Sequence, residues 1–417
     1  MSMIYIQNLN CIYILACSHY KNIAIVVKLL PAKNNSGEIT IRQAAAQAGS
    51  CSGDVHVKSQ GDLDPLKPCK NYTGSIIIEQ TSATNLKLPG IMQINGDIHV
   101  RDNNALSRLS VPHLQSVNGL YMASNKALNK LDLSALTAAQ NVEIAVHPAL
   151  PDISFPAGLS QVSKMTISDT TATRIDGLKM NKVDEMVIDN NIYLRKLDIA
   201  NLTEVSKSMS ISANSPDLTL DVSHLHALQQ GSFRNLAAIS ISELDKVGGD
   251  LSFISNKFSS LELPKVTDVG GTLTLTNNDR LEKLSLPELR HLGGTLSVGN
   301  NTRLAQVDAF SKLEEVDGTL DLTGSFDEVK LPQLQDVRGG LNVQTTSDRF
   351  SCDDVGHLKQ GGVIKGNSFV CKARVAHPKS GLSGNGDDMD VSSNDGLKVF
   401  SDSYLAAALI VLAITFE

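Results

Sequence analysis

Apolar residues along this chain follow two short periods nested in a longer one. In Thr272-Leu273-Thr274-Leu275-Thr276 leucine alternates with threonine, the period of two that sends one set of side chains to each side of a strand. A second phrase follows with L-x-x-L-x-L-x-x-L spacing: Leu281, Leu284, Leu286 and Leu289. It returns at Leu106, Leu109, Val111 and Leu114, at Leu128, Leu131, Leu133 and Leu136, and at Leu194, Leu197, Ile199 and Leu202. The whole unit repeats every 21 to 24 residues, most plainly as Val247-Gly248-Gly249-Asp250-Leu251, Val269-Gly270-Gly271-Thr272-Leu273, Leu292-Gly293-Gly294-Thr295-Leu296, Val316-Asp317-Gly318-Thr319-Leu320 and Val337-Arg338-Gly339-Gly340-Leu341. A fixed period of this size means stacked units instead of one globular core.

The punctuation agrees. Each glycine pair reads as a turn before a strand, and Pro112, Pro264, Pro287 and Pro332 stand just past the last close-spaced apolar residue. Proline lacks the N–H that a ladder needs, so the strand ends there. Asn103, Asn125, Asn191, Asn278 and Asn301 each precede the first leucine of a unit by three residues. At a solenoid corner such an amide bonds the turn backbone and its counterpart one coil away; contact with a ligand is the alternative. The pattern predicts an all-β solenoid with two or three short parallel strands per coil, its repeat running from about Gly74 to Val343 within one elongated domain, 49–372.

Charge and composition narrow the function. The net charge is −7, and the 37 basic residues are scattered singly, which leaves no stripe to neutralise a phosphate backbone and argues against nucleic acid. Tryptophan is absent and aromatics are 4%, which disfavours a lectin or glycanase cleft built on aromatic stacking. No P-loop, G-x-S-x-G elbow or zincin helix motif occurs, and the Gly-Gly pairs precede strands, so no helix dipole is offered to a phosphate. His224 and His226 would share one face of an extended segment, as a metal pair could, but no third ligand stands nearby; a solvent-facing pair is the plainer reading. Asp353-Asp354 and Asp387-Asp388 are adjacent carboxylates, and Glu314-Glu315 reads as a solvated turn; neighbours on a chain are not the opposed placement that acid–base work needs. No catalytic residue, cofactor or metal site is predicted.

Of six cysteines, Cys11 and Cys17 lie near the start, while Cys51, Cys69, Cys352 and Cys371 bracket the repeats. Open solenoid ends expose strand edges and core, so bridges Cys51–Cys69 and Cys352–Cys371 are expected as staples. Buried free thiols are the alternative; zinc is disfavoured, because close C-x₂₋₄-C pairs are missing. Residues 1–48 read as a degenerate or misassigned leader, with Ala44-Ala45-Ala46-Gln47-Ala48 as the cleavage end. At the other end, 373–403 reads as a flexible tether and 404–417 as a short apolar tail. Small residues, a spacer and a short tail together describe a glycosylphosphatidylinositol (GPI) signal, with attachment expected at Asn394, or alternatively Ser393 or Ser392. N-glycosylation sequons stand at Asn71, Asn201 and Asn300, with a fourth at Asn34 in the leader.

These features resemble a known family. Cys51, Cys69, the V-G-G-x-L units, Asp336-Val337-Arg338-Gly339-Gly340-Leu341-Asn342-Val343-Gln344, Phe350-Ser351-Cys352 and Gly362-Val363-Ile364-Lys365-Gly366-Asn367 are similar to the fungal GPI-anchored cell-wall-organisation proteins, which include the yeast sporulation-specific wall proteins. Phe233-Arg234-Asn235 and Ile167-Ser168-Asp169-Thr170 look like internal landmarks of the same family. The resemblance covers about 51–371. It implies a receptor L-domain-like, right-handed parallel β-helix with leucine-rich character, and a non-enzymatic glycoprotein of the plasma membrane and wall. The partners it implies are cell-wall glycans or wall mannoproteins, with the plasma membrane reached through the anchor. Two other functions remain open: a receptor-like module for a specific secreted protein, and a polysaccharide-remodelling enzyme.

Overall fold

The structure, a computed structural model, describes residues 51–381, together with the backbone of a short antiparallel pair, Ala32–Lys33 and Ile39–Thr40. Residues 51–380 form a parallel β-solenoid of about 13 turns. Each strand pairs with its counterpart one coil on, as Leu251 with Leu273, Leu273 with Leu296, and Leu296 with Leu320.

A coil has three faces. In one C-terminal coil they are a linking face at Lys246–Val247, a broad face at Leu251–Ile254 and a narrow face at Ser260–Glu262. In the N-terminal half the linking and broad faces merge into single long strands, Gln93–Arg101, Ser116–Ala123 and Ala138–His147. The register shifts between Ile94 and Asp97, where the merged strand bends.

Alternation sets what is buried. Leu273 and Leu275 are sealed in the core, as are Leu281, Leu284, Leu286 and Leu289 of the second phrase. Burying each such side chain contributes about 1.5–3 kcal/mol, and a neighbour one coil away extends every inward position into a column. Phe233 and Phe253 are one such pair, with ring centroids 5.4 Å apart.

The glycine pairs occupy the corner between linking and broad faces, for a steric reason. A Cβ on Gly270 would lie 2.2 Å from the Gly248 carbonyl oxygen, and one on Gly293 would lie 2.4 Å from that of Gly270. Neither residue has positive φ; bare backbone is needed because one coil's corner rests on the next.

The stack runs past the legible repeat at both ends, to Val55–Val57 and Phe369–Lys372. Cys51–Cys69 and Cys352–Cys371 are bridged, with Cα atoms 5.6 and 5.8 Å apart. The all-β expectation misses one element of size, the helix Asp353–Gln360, whose Val355 and Leu358 are buried against the last coils. Asp353 and Asp354 fall in its first turn, where carboxylates favour the helix dipole. Beyond the last strand the chain returns to the outside of the broad face. There Asn342 Nδ2 and Gln344 Nε2 donate to the Lys379 carbonyl at 2.9 and 3.0 Å, and Ser380 Oγ donates to Asp321.

Candidate functional site

Amide side chains occur at two corners of the coil, in opposite states of satisfaction. Where the broad face turns into the narrow one, the coils from Gln80 to Asn300 each place one residue in the left-handed region, among them Asp102, Ser124, Asn190, Asn277 and Asn300 at φ 51–58°. The next residue is buried. Asn278 Nδ2 donates to the Phe253 carbonyl at 3.0 Å and to Asn301 Oδ1 at 3.2 Å. Its Oδ1 accepts from the backbone N–H and Nδ2 of Asn256 at 2.9 and 3.1 Å. Asn103 joins Asn125, and Asn191 joins Asn214, in the same way. The five asparagines singled out by spacing are therefore ladder members. Asn214 and Asn256 belong too, and spacing missed them because the next buried apolar residue lies at Leu218 or Phe258 instead of three places on.

His147 holds a ladder position between Asn125 and Thr170. It is fully buried, with Nδ1 3.5 Å from the Asn125 carbonyl oxygen and, among the described residues, no hydrogen-bond partner at Nε2. Burial pushes its pKa down, and the Asn125 and Met122 backbone acts the other way.

Charged residues on the outer faces form rungs between coils: Lys265 to Glu243, Lys283 to Glu262, Lys312 to Glu288 and Arg290 to Glu314, at 2.6–2.7 Å. Exposed rungs of this kind contribute about 0–1 kcal/mol each. One carboxylate stands above its ordinary range among the described residues: burial raises Asp189, and the charge of Asp169 one coil below adds to it. His291, Glu315 and Asp317 bring ligand atoms within 4.8 Å of one another. Arg338 spans both of those carboxylates, at 2.6 Å from Glu315 and 2.9 Å from Asp317, so the cluster already carries its countercharge. His224 lies in a turn and His226 just before the strand Ala227–Leu228, so the two do not share an extended strand, and His224 Nδ1 lies 3.0 Å from the Ala200 carbonyl oxygen.

Hydroxyls run along the outer side of the broad face as the column Ser210, Ser232, Ser252, Thr274 and Ser297. Its far end is covered, because Thr274, Ser297 and the next member, Asp321, are all buried. The open polar surface lies elsewhere. A groove of about 710 Å³ follows the bend between linking and broad faces across the coils from Gln93 to Lys182. Its floor is the buried column Ile94, Val117, Ala139 and Val162. The residue after each, Asn95, Asn118, Gln140 and Ser163, is exposed and forms a wall. Beside it the Tyr121 ring stacks on His99 with centroids 5.0 Å apart. Tyr121 also lies over Gly119, where a Cβ would approach the ring to 2.2 Å.

Asn71, Asn201 and Asn300 are all exposed. Asn300 Nδ2 donates to Asn277 Oδ1 at 2.9 Å from a left-handed corner. Asn394, Ser393 and Ser392, the leader with Cys11 and Cys17, and the apolar tail lie outside the described residues.

The architecture defines a class: a leucine-rich parallel β-solenoid, stapled at both ends by disulfides and laddered inside by asparagine. Comparison with known proteins places the chain within that class. It is 32% identical over 89% of its length to a cell surface GPI-anchored protein of Arthroderma benhamiae, spanning 94% of that protein. It is 33% identical to the cell wall protein ecm33 of Schizosaccharomyces pombe over 81% of both chains. It is also 31% identical over 76% of its length to sporulation-specific protein 2 of Saccharomyces cerevisiae, spanning 64% of it. No family model matches the chain, and no solved structure does. The chain belongs to the fungal family of GPI-anchored cell-wall and cell-surface proteins.

Proposed function

We propose that this chain is a non-enzymatic, GPI-anchored glycoprotein of the cell surface that supports the organisation and integrity of a fungal cell wall, including an ascospore wall where it is expressed during sporulation. The observation that carries this reading is similarity over 76–89% of the chain to relatives named for the surface, the wall and sporulation. The stapled, laddered body suits it, since a rigid rod exposed outside the cell needs ends that do not fray. Wall glycans or mannoproteins are the proposed partners, the anchor is proposed at Asn394 or the adjacent Ser393 or Ser392, and glycans are proposed on Asn71, Asn201 and Asn300. Release of the chain from membranes by phosphatidylinositol-specific phospholipase C tests the anchor. Growth of a deletion strain on wall-perturbing dyes tests the role: hypersensitivity is expected, and a normal wall refutes it.

One observation favours a protein partner as a second reading. Ile192 and Tyr193 are 60% and 52% exposed side by side at one corner, unlike the polar residues around them. Photo-crosslinking from position 193 that yields one stoichiometric protein would favour a receptor-like module. For the enzymatic alternative the Asp169 and Asp189 pair is the place to look, and purified protein that leaves glucan and chitin oligomers intact would remove it.

A further inference from the structure

Side-chain amides are costly to leave unpaired inside a protein, and every ladder asparagine described above is paired. In the groove the carboxamides of Asn118, Gln140, Gln161 and Asn181 have no hydrogen-bond partner among the described residues, whereas Gln93 donates to Asn95. The fold does not require them. The position that follows the inward residue of the linking face is Asn95, Asn118, Gln140 and Ser163 in these coils; further along it is Gly248, Gly270 and Gly293, then Asp317 and Arg338. The same corner is thus built with bare backbone in three successive coils and carries a row of amides and a hydroxyl in these.

Resting on the wall-organising role proposed above, we infer that this groove binds a neutral polysaccharide chain lying along the solenoid axis, one sugar residue per coil. A carboxamide both donates and accepts, as does a sugar hydroxyl, and coils about 4.8 Å apart repeat the pair at close to the length of one pyranose in an extended chain. The row runs about 20 Å along the stack. Its walls are uncharged from Gln93 to Ser163, with Lys179 and Lys182 at one end, which suits a neutral ligand and gives a polyanion little to hold. The stacked Tyr121 and His99 provide an aromatic shoulder beside Asn118 and Gly119, the kind of surface that a pyranose contacts. A peptide would need an apolar pocket or an open strand edge; here the floor is sealed and the strands are paired on both sides.

The test is affinity electrophoresis of the full chain through gels containing soluble β-glucan or soluble α-mannan, with wild type beside the variant Asn118→Ala/Gln140→Ala/Gln161→Ala. Retardation of wild type by either polymer is expected, the two arms identifying which, and the variant should lose it at least tenfold while its melting temperature stays unchanged. Hydrogen-exchange footprinting of wild type with the retarding polymer serves should the variant misfold, with protection expected at 93–95, 116–118, 138–140 and 161–163. Retardation by neither polymer, equal retardation of the folded variant, or protection confined to other coils overturns the groove. The wall role stands or falls separately, on the deletion strain.

Discussion

Replacing Asn278 by alanine removes four hydrogen bonds from the middle of the corner ladder. One of the groups released has nowhere to turn: the Asn256 backbone N–H loses its acceptor in a corner closed to water, whereas the Phe253 carbonyl stays in the strand ladder. A buried group left unpaired costs about 1–3 kcal/mol, so Asn278→Ala should destabilise the chain by about 1–3 kcal/mol, a sizeable part of the stability of an ordinary domain. Asn277→Gly is the control. That residue is exposed and at φ 58°, where glycine is at ease, and the change should fall within about 0.5 kcal/mol. Asn278→Asp separates the two halves of the amide, keeping the acceptor for Asn256 while turning an oxygen toward the Phe253 carbonyl. Urea unfolding followed by circular dichroism gives the loss, and hydrogen exchange across 253–301 should show the opening centred on that corner. A loss from Asn278→Ala no larger than that of the control would refute the ladder's structural role and return these asparagines to the ligand-contact reading.

Four other outcomes follow from the same geometry. The neutral imidazole of His147 is favoured in the folded chain, so its contribution is complete above about pH 6.5 and is lost as the pH falls from there toward its lowered folded value; His147→Asn should flatten this dependence in melts between pH 4 and 8, and a parallel curve would contradict it. Gly293→Ala forces a Cβ to 2.4 Å from the Gly270 oxygen and should cost about 1–3 kcal/mol, whereas Gly356→Ala in the capping helix meets nothing within 4 Å and should gain about 0.5–1 kcal/mol; denaturant midpoints moving in the same direction would refute one of the two. Converting Cys352 and Cys371 to serine should cost about 3 kcal/mol, read as early exchange at 341–345 and 369–372. Asn300→Gln should remove one glycan from the secreted chain, seen as a single step in intact mass, with no step expected from Asn278→Gln.

Much of the fold was legible because a solenoid writes each rule many times. Alternation in 272–276, the leucine spacing at 281–289 and the prolines after strands all fell where the structure has them. The two end strands were not legible, since Val55–Val57 and Phe369–Lys372 are held by caps with their own sequences. The helix Asp353–Gln360 escaped for the same reason. The glycine pairs were read as turns, which they are, but sequence does not reveal that contact between successive corners demands them. His147 was invisible as a ladder member because its ring fills an asparagine's place through different chemistry. Alternation places Ser, Thr and Asp on the outer side of the broad face, yet Asp321 and its neighbours are covered, through contacts such as Ser380 that no period announces.

The groove was the part that sequence could least show, and the reason lies in the repeat itself. Asparagine and glutamine at 118, 140 and 161 share the amide of the ladder residues 103, 125 and 191 but lack the leucine three places on that marks the ladder, and no period marks the corner they occupy. At the ladder corner an amide replaces water for buried backbone groups, and its removal unfolds a coil. At the linking corner glycine already satisfies the structure, so an amide there adds nothing to the core and leaves its donors and acceptors facing outward. A repeat protein that needs a binding surface can place it at such positions without disturbing the stack, because neighbouring coils meet through backbone and core whichever side chain points away. This predicts an asymmetry within the molecule: polar substitutions along 95–163 should change what the solenoid holds, while changes along 248–293 should alter whether it folds.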